Sequence, residues 1–359
     1  MIILYAIVLF ILSVYSFALV DPNLTLINHP WWVIFREKAV YLGYYQRSLS
    51  WQIYLVIVVI LFIFNYFFTK KYKNYDPIKI AILTAVIVLF SYPFLSHDFF
   101  NYLFDAKIVT YYHQNPYLKR ALDFPTDQWV RFMHWTHRTY PYGPIFLLIS
   151  LVPSFLSLGK FFLAYAFFKL TFIIFYLLAV YFLNKMNKKW AIILATHPLI
   201  IIEGLVSSHN DLIALSLAVI GIYFLFNKKN LWSRIFLVLS VGIKYVTLPL
   251  IFLTRRHRRI NYLVFFVLIA IILYMRMKME IQPWYFLPFF AFLPFFDQLI
   301  ISFNIFFAGL LFSYYPYIYL GGWDTADKLI LKHDIINLFL GLNLFYLLFI
   351  LLRRKFIKK

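Results

Sequence analysis

The sequence contains no cysteine in 359 residues, which excludes a disulfide framework, a thiolate metal site and a thiol nucleophile. Charged residues are also scarce, at 13% of the chain, and only 14 residues are acidic. The chain is instead 64% hydrophobic, and its apolar runs repeatedly reach the roughly 20 residues that a helix needs to cross a bilayer. The composition therefore predicts an all-α polytopic membrane protein.

The formal net charge of +20 reflects membrane topology. The basic residues fall in short clusters between apolar runs, which is the pattern of cytoplasmic loops, so we expect membrane lipids and no nucleic acid as partners. The first 20 residues lack a basic n-region and a small-residue cleavage site, and they are predicted to be a retained helix. The clusters expected in the cytoplasm are 70–73, 185–189, 228–229, 255–259 and the tail 353–359.

The positive-inside rule places the loop 96–143 on the outer side of the membrane. Charge alone fits one crossing in 144–184, although two apolar stretches are present there, so the predicted total is about eleven or twelve spans. The other predicted spans lie near 1–20, 51–69, 78–95, 190–206, 211–227, 260–275, 283–296, 299–319 and 335–352.

The segment 231–253 is predicted to enter the membrane and return. It has cytoplasmic charge on both flanks and Gly242-Ile243-Lys244 in its middle, and broken helices at membrane depth are tolerated where they line a cavity. Lys244 inside this hairpin needs either an anionic partner or a route to water. A phosphate of a lipid substrate would be a suitable partner.

A polar island at 96–105 follows an apolar span directly, and ionisable residues at such a place are costly and therefore candidates for chemistry. Asp98, Tyr102 and Asp105 have the i, i+4, i+7 spacing of one helix face. Beside an apolar cavity, Asp98 is expected to have a raised pKa and to act as a general base. The alternative is that Asp98 only caps a helix N-terminus. Asp105 is expected to have a supporting role.

The segment 131–144 combines cations and aromatic rings just before the chain re-enters the membrane. Either it is an interfacial anchor, or Arg138 or a histidine holds a phosphate while an aromatic ring stacks on a sugar. His134 and His137 have no carboxylate at ligand spacing, so neither a zinc site nor any other metal or cofactor is predicted.

Two further polar motifs are placed on the outer side by the same topology. His209-Asn210-Asp211 lies between two long apolar runs and is either part of a site or a helix N-cap. Gln282-Pro283-Trp284-Tyr285 follows another span. Together with 96–105 and 131–144, these motifs predict an active cavity at the outer leaflet.

The order Ser-x-Asp-x-x-x-Tyr, Asn-Pro-Tyr, Tyr-Gly-Pro, His-Asn-Asp, Gly-x-Lys and Gln-Pro-Trp-Tyr over residues 80–300 resembles GT-C glycosyltransferases. The resemblance is above all to bacterial polyprenyl-phosphate-mannose-dependent α-mannosyltransferases, and more distantly to the GPI mannosyltransferases. It implies a GT-C-like transmembrane bundle whose outer loop carries juxtamembrane helices. It also implies an enzyme of cell-envelope glycan synthesis in the cytoplasmic membrane, which moves one mannose from a polyprenyl-phosphate donor to a glycan or glycolipid acceptor on the extracytoplasmic face.

The resemblance makes Asp98 the catalytic base and maps the Asn-Pro-Tyr motif onto residues 115–117. The chain departs from the family by an extra hairpin, 1–69, ahead of the Asp98 span. We therefore expect an N-terminal hairpin at 1–75, a catalytic module at 76–300, and C-terminal helices with a basic tail at 301–359. The predicted donor- and substrate-binding residues are Tyr102, Asp105, Asn115, Tyr117, Arg138, Tyr142, His209, Asn210, Asp211, Lys244, Gln282, Trp284 and Tyr285.

The chemistry of such a donor needs few groups. A phosphate leaving group departs as an anion, so one carboxylate base and a few cations suffice. We assign the phosphate to Lys244, Arg138 and His209, and the sugar or prenyl groove to Trp284 and Tyr285. Direct attack at the anomeric carbon inverts its configuration.

Two other classes remain open. A ligase or polymerase using a lipid diphosphate would need more outer-loop arginines than Arg131 and Arg138. A lipid or solute transporter usually has an internal repeat, and none is visible in this sequence.

Overall fold

The computed structural model describes the backbone of residues 1–357 and the side chains of residues 1–352. The basic tail from Arg353 to Lys359 lies outside the residues whose side chains are described. Residues 1–357 form helices and loops and contain no strand, so the all-α fold is confirmed. The α-helices are α1 Ile2–Tyr15, α2 Pro30–Val40, α3 Arg47–Lys70, α4 Pro77–Val88, α5 Asp98–Thr110, α6 Pro144–Leu156, α7 Phe161–Met186, α8 Lys188–Thr196, α9 Asp211–Phe226, α10 Asn230–Ile243, α11 Arg258–Lys278, α12 Leu293–Ser302, α13 Asn304–Phe312, α14 Tyr315–Tyr319 and α15 Ala326–Ile357.

Among the described residues, six helical segments are long and apolar enough to cross a membrane. A seventh span results if α8 and the π-helical segment Ile200–Val206, which are bent by 66° at their junction, count as one. Four shorter apolar helices, α4, α6, α9 and α10, bring the total to eleven only if each of them also crosses. The polytopic prediction is therefore confirmed, whereas the predicted number of spans depends on these short helices.

The structure resolves the ambiguous stretch 144–184 into two helices, α6 and α7. Besides the bent span near 190–206, two predicted spans differ from continuous helices. The span near 78–95 is helical only to Val88, and the span near 299–319 is interrupted between α12, α13 and α14. Apolar composition indicated these segments correctly, but hydropathy does not register the breaks.

The predicted break at Lys244 is confirmed. α10 ends at Ile243, Lys244 has an extended backbone with φ of −141° and ψ of 115°, and a 3₁₀ segment follows over Tyr245–Phe252. The loop before α6 packs directly on this break, because a Cβ atom on Gly143 would collide with the carbonyl of Gly242. The close approach of these two glycines brings the Tyr-Gly-Pro motif next to the Gly-x-Lys motif.

The centre of the bundle is α9, which is buried from Asp211 to Ile222 and packs mainly on α10, α7 and the 3₁₀ segment Pro283–Phe292. At its N-terminal end the loop 207–210 is fully buried. Buried backbone carbonyls need hydrogen-bond partners. In the turn just before this loop, Lys169 of α7 donates to the carbonyls of Leu205 at 3.1 Å and Val206 at 2.6 Å.

Candidate active site

Asp98 is the first residue of α5, and His97 occupies the N-cap position. The Asp98 side chain does not cap the helix, so the N-cap alternative is wrong. Its Oδ1 atom accepts a hydrogen bond from Trp135 Nε1 at 3.1 Å. A helix N-terminus favours negative charge within its first turn, and an indole N–H bond to one oxygen leaves the other oxygen free to accept a proton.

A cavity of about 240 Å³, which we call the Asp98 cavity, opens beside this carboxylate. Two cations, Arg138 and Lys244, face Asp98 across a largely aromatic wall. The Arg138 guanidinium lies 4.4 Å from the centre of the Trp135 ring. The cavity is lined by Asp98, Arg138, Pro141, Tyr142, Gly143, Ile243, Lys244, Tyr245, Val246, Met275, Trp284 and Tyr285. The structure thus brings together five residues of the predicted substrate-binding set with the predicted base.

Lys244 is held in this wall by the buried end of α9. Its Nζ atom lies 2.9 Å from Asp211 Oδ2 and donates to Asn210 Oδ1 at 3.3 Å. The C-terminal carbonyls of α10 also favour a cation at this position. The anionic partner that the sequence required is therefore Asp211, and Asn210 and Asp211 support Lys244 instead of lining the cavity.

His209 is fully buried behind the cavity wall. Its ring is stacked on Trp284, with centroids 3.7 Å apart and planes within 15°. Its Nδ1 lies 3.8 Å from Asp98 Oδ2 and its Nε2 lies 3.5 Å from Glu203 Oε2. Burial, followed by the charge of Lys244, lowers the pKa of His209 well below its usual value, so the ring is neutral. His209 is not among the residues that line the Asp98 cavity, and its contact with a donor phosphate stays a prediction.

Four other predicted residues are not among those that line the cavity. Tyr102 is buried with its ring edge-on to Tyr142, at 5.1 Å between centroids. Asp105 is buried on the same helix face. Asn115 forms an exposed turn by accepting from the Tyr117 N–H, and the Tyr117 hydroxyl donates to the Tyr142 carbonyl at 3.3 Å. Direct contact of Tyr102, Asp105, Asn115 and Tyr117 with substrate stays a prediction.

Buried polar atoms that find no hydrogen-bond partner among the described residues gather around Asp98 and the 207–211 loop. They include Asn101 Oδ1, Asn210 Nδ2, Asp211 Oδ1 and both ring nitrogens of His209. Ser208, in the same loop, has a φ of 57°, which is unusual for a residue other than glycine. Unpaired polar groups and backbone strain concentrate at functional sites. Residues 1–352 contain no cluster of three or more histidine and acidic side chains arranged to hold a metal ion.

Two carboxyl groups of α5 have raised pKa values. Burial raises the pKa of Asp98, while Lys244, Arg138 and the Trp135 hydrogen bond act in the opposite direction. Burial raises the pKa of Asp105 to about 8, with Arg138 lowering it and Asp98 raising it further. Asp105 is therefore largely protonated at neutral pH, and Asp98 is the better base of the two.

We expect a corresponding pH dependence. A base must be unprotonated, so activity will fall as the pH drops through the pKa of Asp98. Because that pKa is raised, the acidic limb of kcat/KM will lie above the range of a free aspartate, about 3.9. A pH profile of kcat/KM measures this limb, and a limb at or below the free value would contradict the assignment.

Trp135→Phe should move this limb further. The substitution removes the N–H that stabilises the charged carboxylate, so the pKa of Asp98 rises and the acidic limb shifts to higher pH. Hydrogen bonds to charged groups contribute about 1.5–3 kcal/mol, so the limb should shift upward by about one to two pH units, and the lost activity should recover in more alkaline buffer. A pH-independent loss would instead indicate a packing defect.

Sequence reasoning missed three supporting residues. Trp135 stood in a motif that was noted for its aromatic and basic character, but nothing in it singled out the indole that bonds Asp98. Lys169 is an isolated lysine within the apolar run of α7, and an intramembrane cation is a signal that could have found it. Glu203 is an isolated acidic residue within another apolar run, and the same signal could have found it.

One comparison with known proteins gives a match. The family model described as alpha-(1->6)-mannopyranosyltransferase, N-terminal domain, matches residues 3–255. The match includes the N-terminal hairpin, so the expectation that residues 1–69 are extra to the family is wrong, and it ends before the Gln-Pro-Trp-Tyr motif. No curated protein and no solved structure matches the chain.

Proposed function

The chain belongs to the alpha-(1->6)-mannopyranosyltransferase family, and from this premise we propose that it transfers one mannose from a polyprenyl-phosphate donor to a glycan or glycolipid acceptor. The chain is a membrane mannosyltransferase by its family and its apolar helices. The donor, the acceptor and the mechanism are our proposal. The main observation in support of this proposal is that one carboxylate, Asp98, and two cations, Arg138 and Lys244, line a single cavity.

The proposed step is a direct displacement. An acceptor hydroxyl attacks the anomeric carbon of the mannose while the bond from that carbon to the phosphate oxygen breaks. The electron pair leaves with the phosphate, and Asp98 takes the hydroxyl proton. A β-linked donor would give an α-linked product, and no second carboxylate is required because no covalent sugar intermediate forms.

The two cations suit the phosphate end of the donor. Charge accumulates on the phosphate oxygens as the sugar leaves, and fixed cations in a site of low polarity stabilise that charge. Arg138 offers several donors in a planar fork, while Lys244 is a compact point charge. Asp211 offsets part of the Lys244 charge and also fixes its position, so little reorganisation is needed during the reaction.

Basic clusters support an extracytoplasmic site in the cytoplasmic membrane. Positive residues accumulate in cytoplasmic loops, and the clusters at 185–189 and 228–229 flank the pair of segments whose connecting loop holds His209. The opposite end of that pair, with Asp98 and Lys244, then faces outward. A polyprenyl-phosphate donor is consistent with a site at the membrane surface, since its chain stays in the bilayer.

The test is transfer by the purified protein in liposomes, supplied with a membrane-lipid extract as acceptor. One reaction receives radiolabelled polyprenyl-phosphate mannose, and a parallel reaction receives an equally labelled nucleotide-linked mannose. We expect label to enter a new lipid or glycan only from the polyprenyl donor. Transfer from the nucleotide donor alone would contradict the proposal, as would movement of the intact polyprenyl donor across the bilayer without bond formation.

A further inference from the structure

A second cavity of about 550 Å³, which we call the Trp323 cavity, lies beside the Asp98 cavity and shares the Trp284 side chain with it. It is built from the N-terminal hairpin, the segment before α5, the loop 131–144 and the C-terminal part of the chain. Its lining residues are Leu19, Tyr44, Arg47, Leu95, Ser96, His97, His134, Trp135, Gln282, Trp284, Tyr317, Gly321, Gly322, Trp323 and Asp324.

Two tryptophans connect this cavity to the proposed base. Trp135 lines the Trp323 cavity and donates its indole N–H to Asp98 at 3.1 Å. Trp284 lines both cavities and is stacked on His209, whose Nδ1 lies 3.8 Å from Asp98. Asp98 itself lines the Asp98 cavity, so the Trp323 cavity is separated from the carboxylate by these tryptophan side chains.

The lining chemistry of the two cavities differs. The Asp98 cavity has two cations and one carboxylate, which suits an anion. The Trp323 cavity has one cation and one carboxylate, Arg47 and Asp324, together with three tryptophans and two tyrosines. Aromatic walls with a few placed polar groups are typical of sites for uncharged small molecules. The flat apolar face of a hexose fits such rings, while its hydroxyls fit Arg47, Gln282 and the histidines.

The Trp323 ring is held rigidly in this wall. The buried Lys332 Nζ lies 4.0 Å from its ring centre, and Tyr317 is stacked on it at 5.0 Å. The same Nζ donates to Gln282 Oε1 at 3.0 Å and pairs with Glu280 at 3.1 Å. This network fixes two lining residues before any ligand arrives, which lowers the entropic cost of binding.

The position of the Arg47 side chain depends on the absence of a side chain at Gly321. Gly321 has a φ of 85°, and a Cβ atom there would collide with the Arg47 guanidinium. The left-handed backbone and the missing side chain let the guanidinium rest against the turn, within the cavity lining.

We propose that the Trp323 cavity binds the terminal hexose of the acceptor glycan, with its attacking hydroxyl directed at Asp98. This inference rests on the proposed mannosyl transfer. The part of the wall contributed by residues 282–324 lies beyond residue 255, where the family match ends. The other eight lining residues, Arg47 and Trp135 among them, lie within the matched part of the chain.

Equilibrium binding tests, without turnover, whether the saccharide binds in the Trp323 cavity and the phosphate in the Asp98 cavity. The full-length protein in detergent is titrated calorimetrically with the methyl glycoside of α-1,6-linked mannotriose, and separately with sugar-free polyprenyl phosphate. Trp323→Ala and Arg47→Ala should each weaken mannotriose binding by about tenfold or more and leave polyprenyl-phosphate binding unchanged. Arg138→Gln should do the reverse. Trp232→Ala is the matched control, because this half-exposed tryptophan at the start of α10 lines neither cavity.

Different results would contradict the saccharide site and the proposed mannosyl transfer. Mannotriose binding that depends on Trp323 and Arg47 would uphold the saccharide site even if no mannose were transferred from polyprenyl phosphate. Variants that leave mannotriose binding unchanged, or that weaken polyprenyl phosphate instead, would overturn the inference even in an active transferase. Absence of mannotriose binding by the wild type would overturn it as well. Arg47→Ala covers the case in which Trp323→Ala does not fold, since Arg47 is only half-buried.

Discussion

Asp98→Asn should lower kcat for mannosyl transfer by about 10²- to 10⁴-fold, the range that general base catalysis contributes. The amide has nearly the same shape as the carboxylate and still accepts from the Trp135 indole, but it cannot take the acceptor proton. The KM for the donor should not rise, because a negative charge facing the donor phosphate is removed. Steady-state kinetics in liposomes, with donor and acceptor varied in turn, measure both parameters.

The control is Asp123→Asn, an exposed aspartate that pairs with Arg120 in the loop after α5. It should retain wild-type activity. The thermal midpoint of the purified Asp98→Asn protein should be no lower than that of the wild type, since burial of a neutral amide costs less than burial of a carboxylate. Near-normal turnover by a folded Asp98→Asn protein would rule Asp98 out as the base.

Lys244→Met should have the second largest effect, on both substrate binding and stability. Loss of a charge-assisted contact to the donor phosphate weakens binding by about 1.5–3 kcal/mol, or about 10- to 100-fold in KM. The same change leaves the fully buried Asp211 carboxylate without its cation. Removing one member of a buried pair costs about 3–5 kcal/mol of stability, so the thermal midpoint should fall clearly.

The double variant Asp211→Asn/Lys244→Met separates the two effects. Removing both charges should restore most of the stability, because no unpaired charge remains, while the KM for the donor stays high. Lys189→Met is the matched control: Lys189 also pairs with an aspartate, Asp297 at 2.9 Å, but it does not line the Asp98 cavity. Recovery of normal donor KM in the double variant would show that Lys244 serves only to neutralise Asp211.

Hydropathy and charge predicted the fold class and the break at Lys244 because both follow from the free-energy cost of exposing polar groups to lipid. A run of apolar residues long enough to span the bilayer is read directly from sequence, and a lysine between two half-helices marks a place where the backbone is not lipid-exposed. The end of α4 at Val88 and the break between α12 and α13 at Phe303 were not predictable in this way, since the residues on either side are equally apolar.

For the site, the sequence identified the motifs, but not which of their residues line the cavity and which lie buried behind its wall. Asp98, Arg138, Lys244 and Trp284 were grouped correctly because topology placed them at one end of the bundle. His209 was assigned to the donor phosphate, yet it is buried behind Trp284. Its position depends on the π-helical turn after Ile200 and on Lys169, which holds the carbonyls of that turn. Such long-range contacts have no signature in the local spacing of residues.

The most direct test of the central claim is the anomeric configuration of the product. The wild-type protein is given polyprenyl-phosphate β-mannose labelled with ¹³C at the anomeric carbon, and the one-bond carbon–proton coupling of the transferred residue is read by NMR. Direct displacement assisted by Asp98 predicts an α-linked mannose as the single product. A β-linked product would mean two successive displacements through a covalent sugar intermediate, and would contradict the role of Asp98 as a general base.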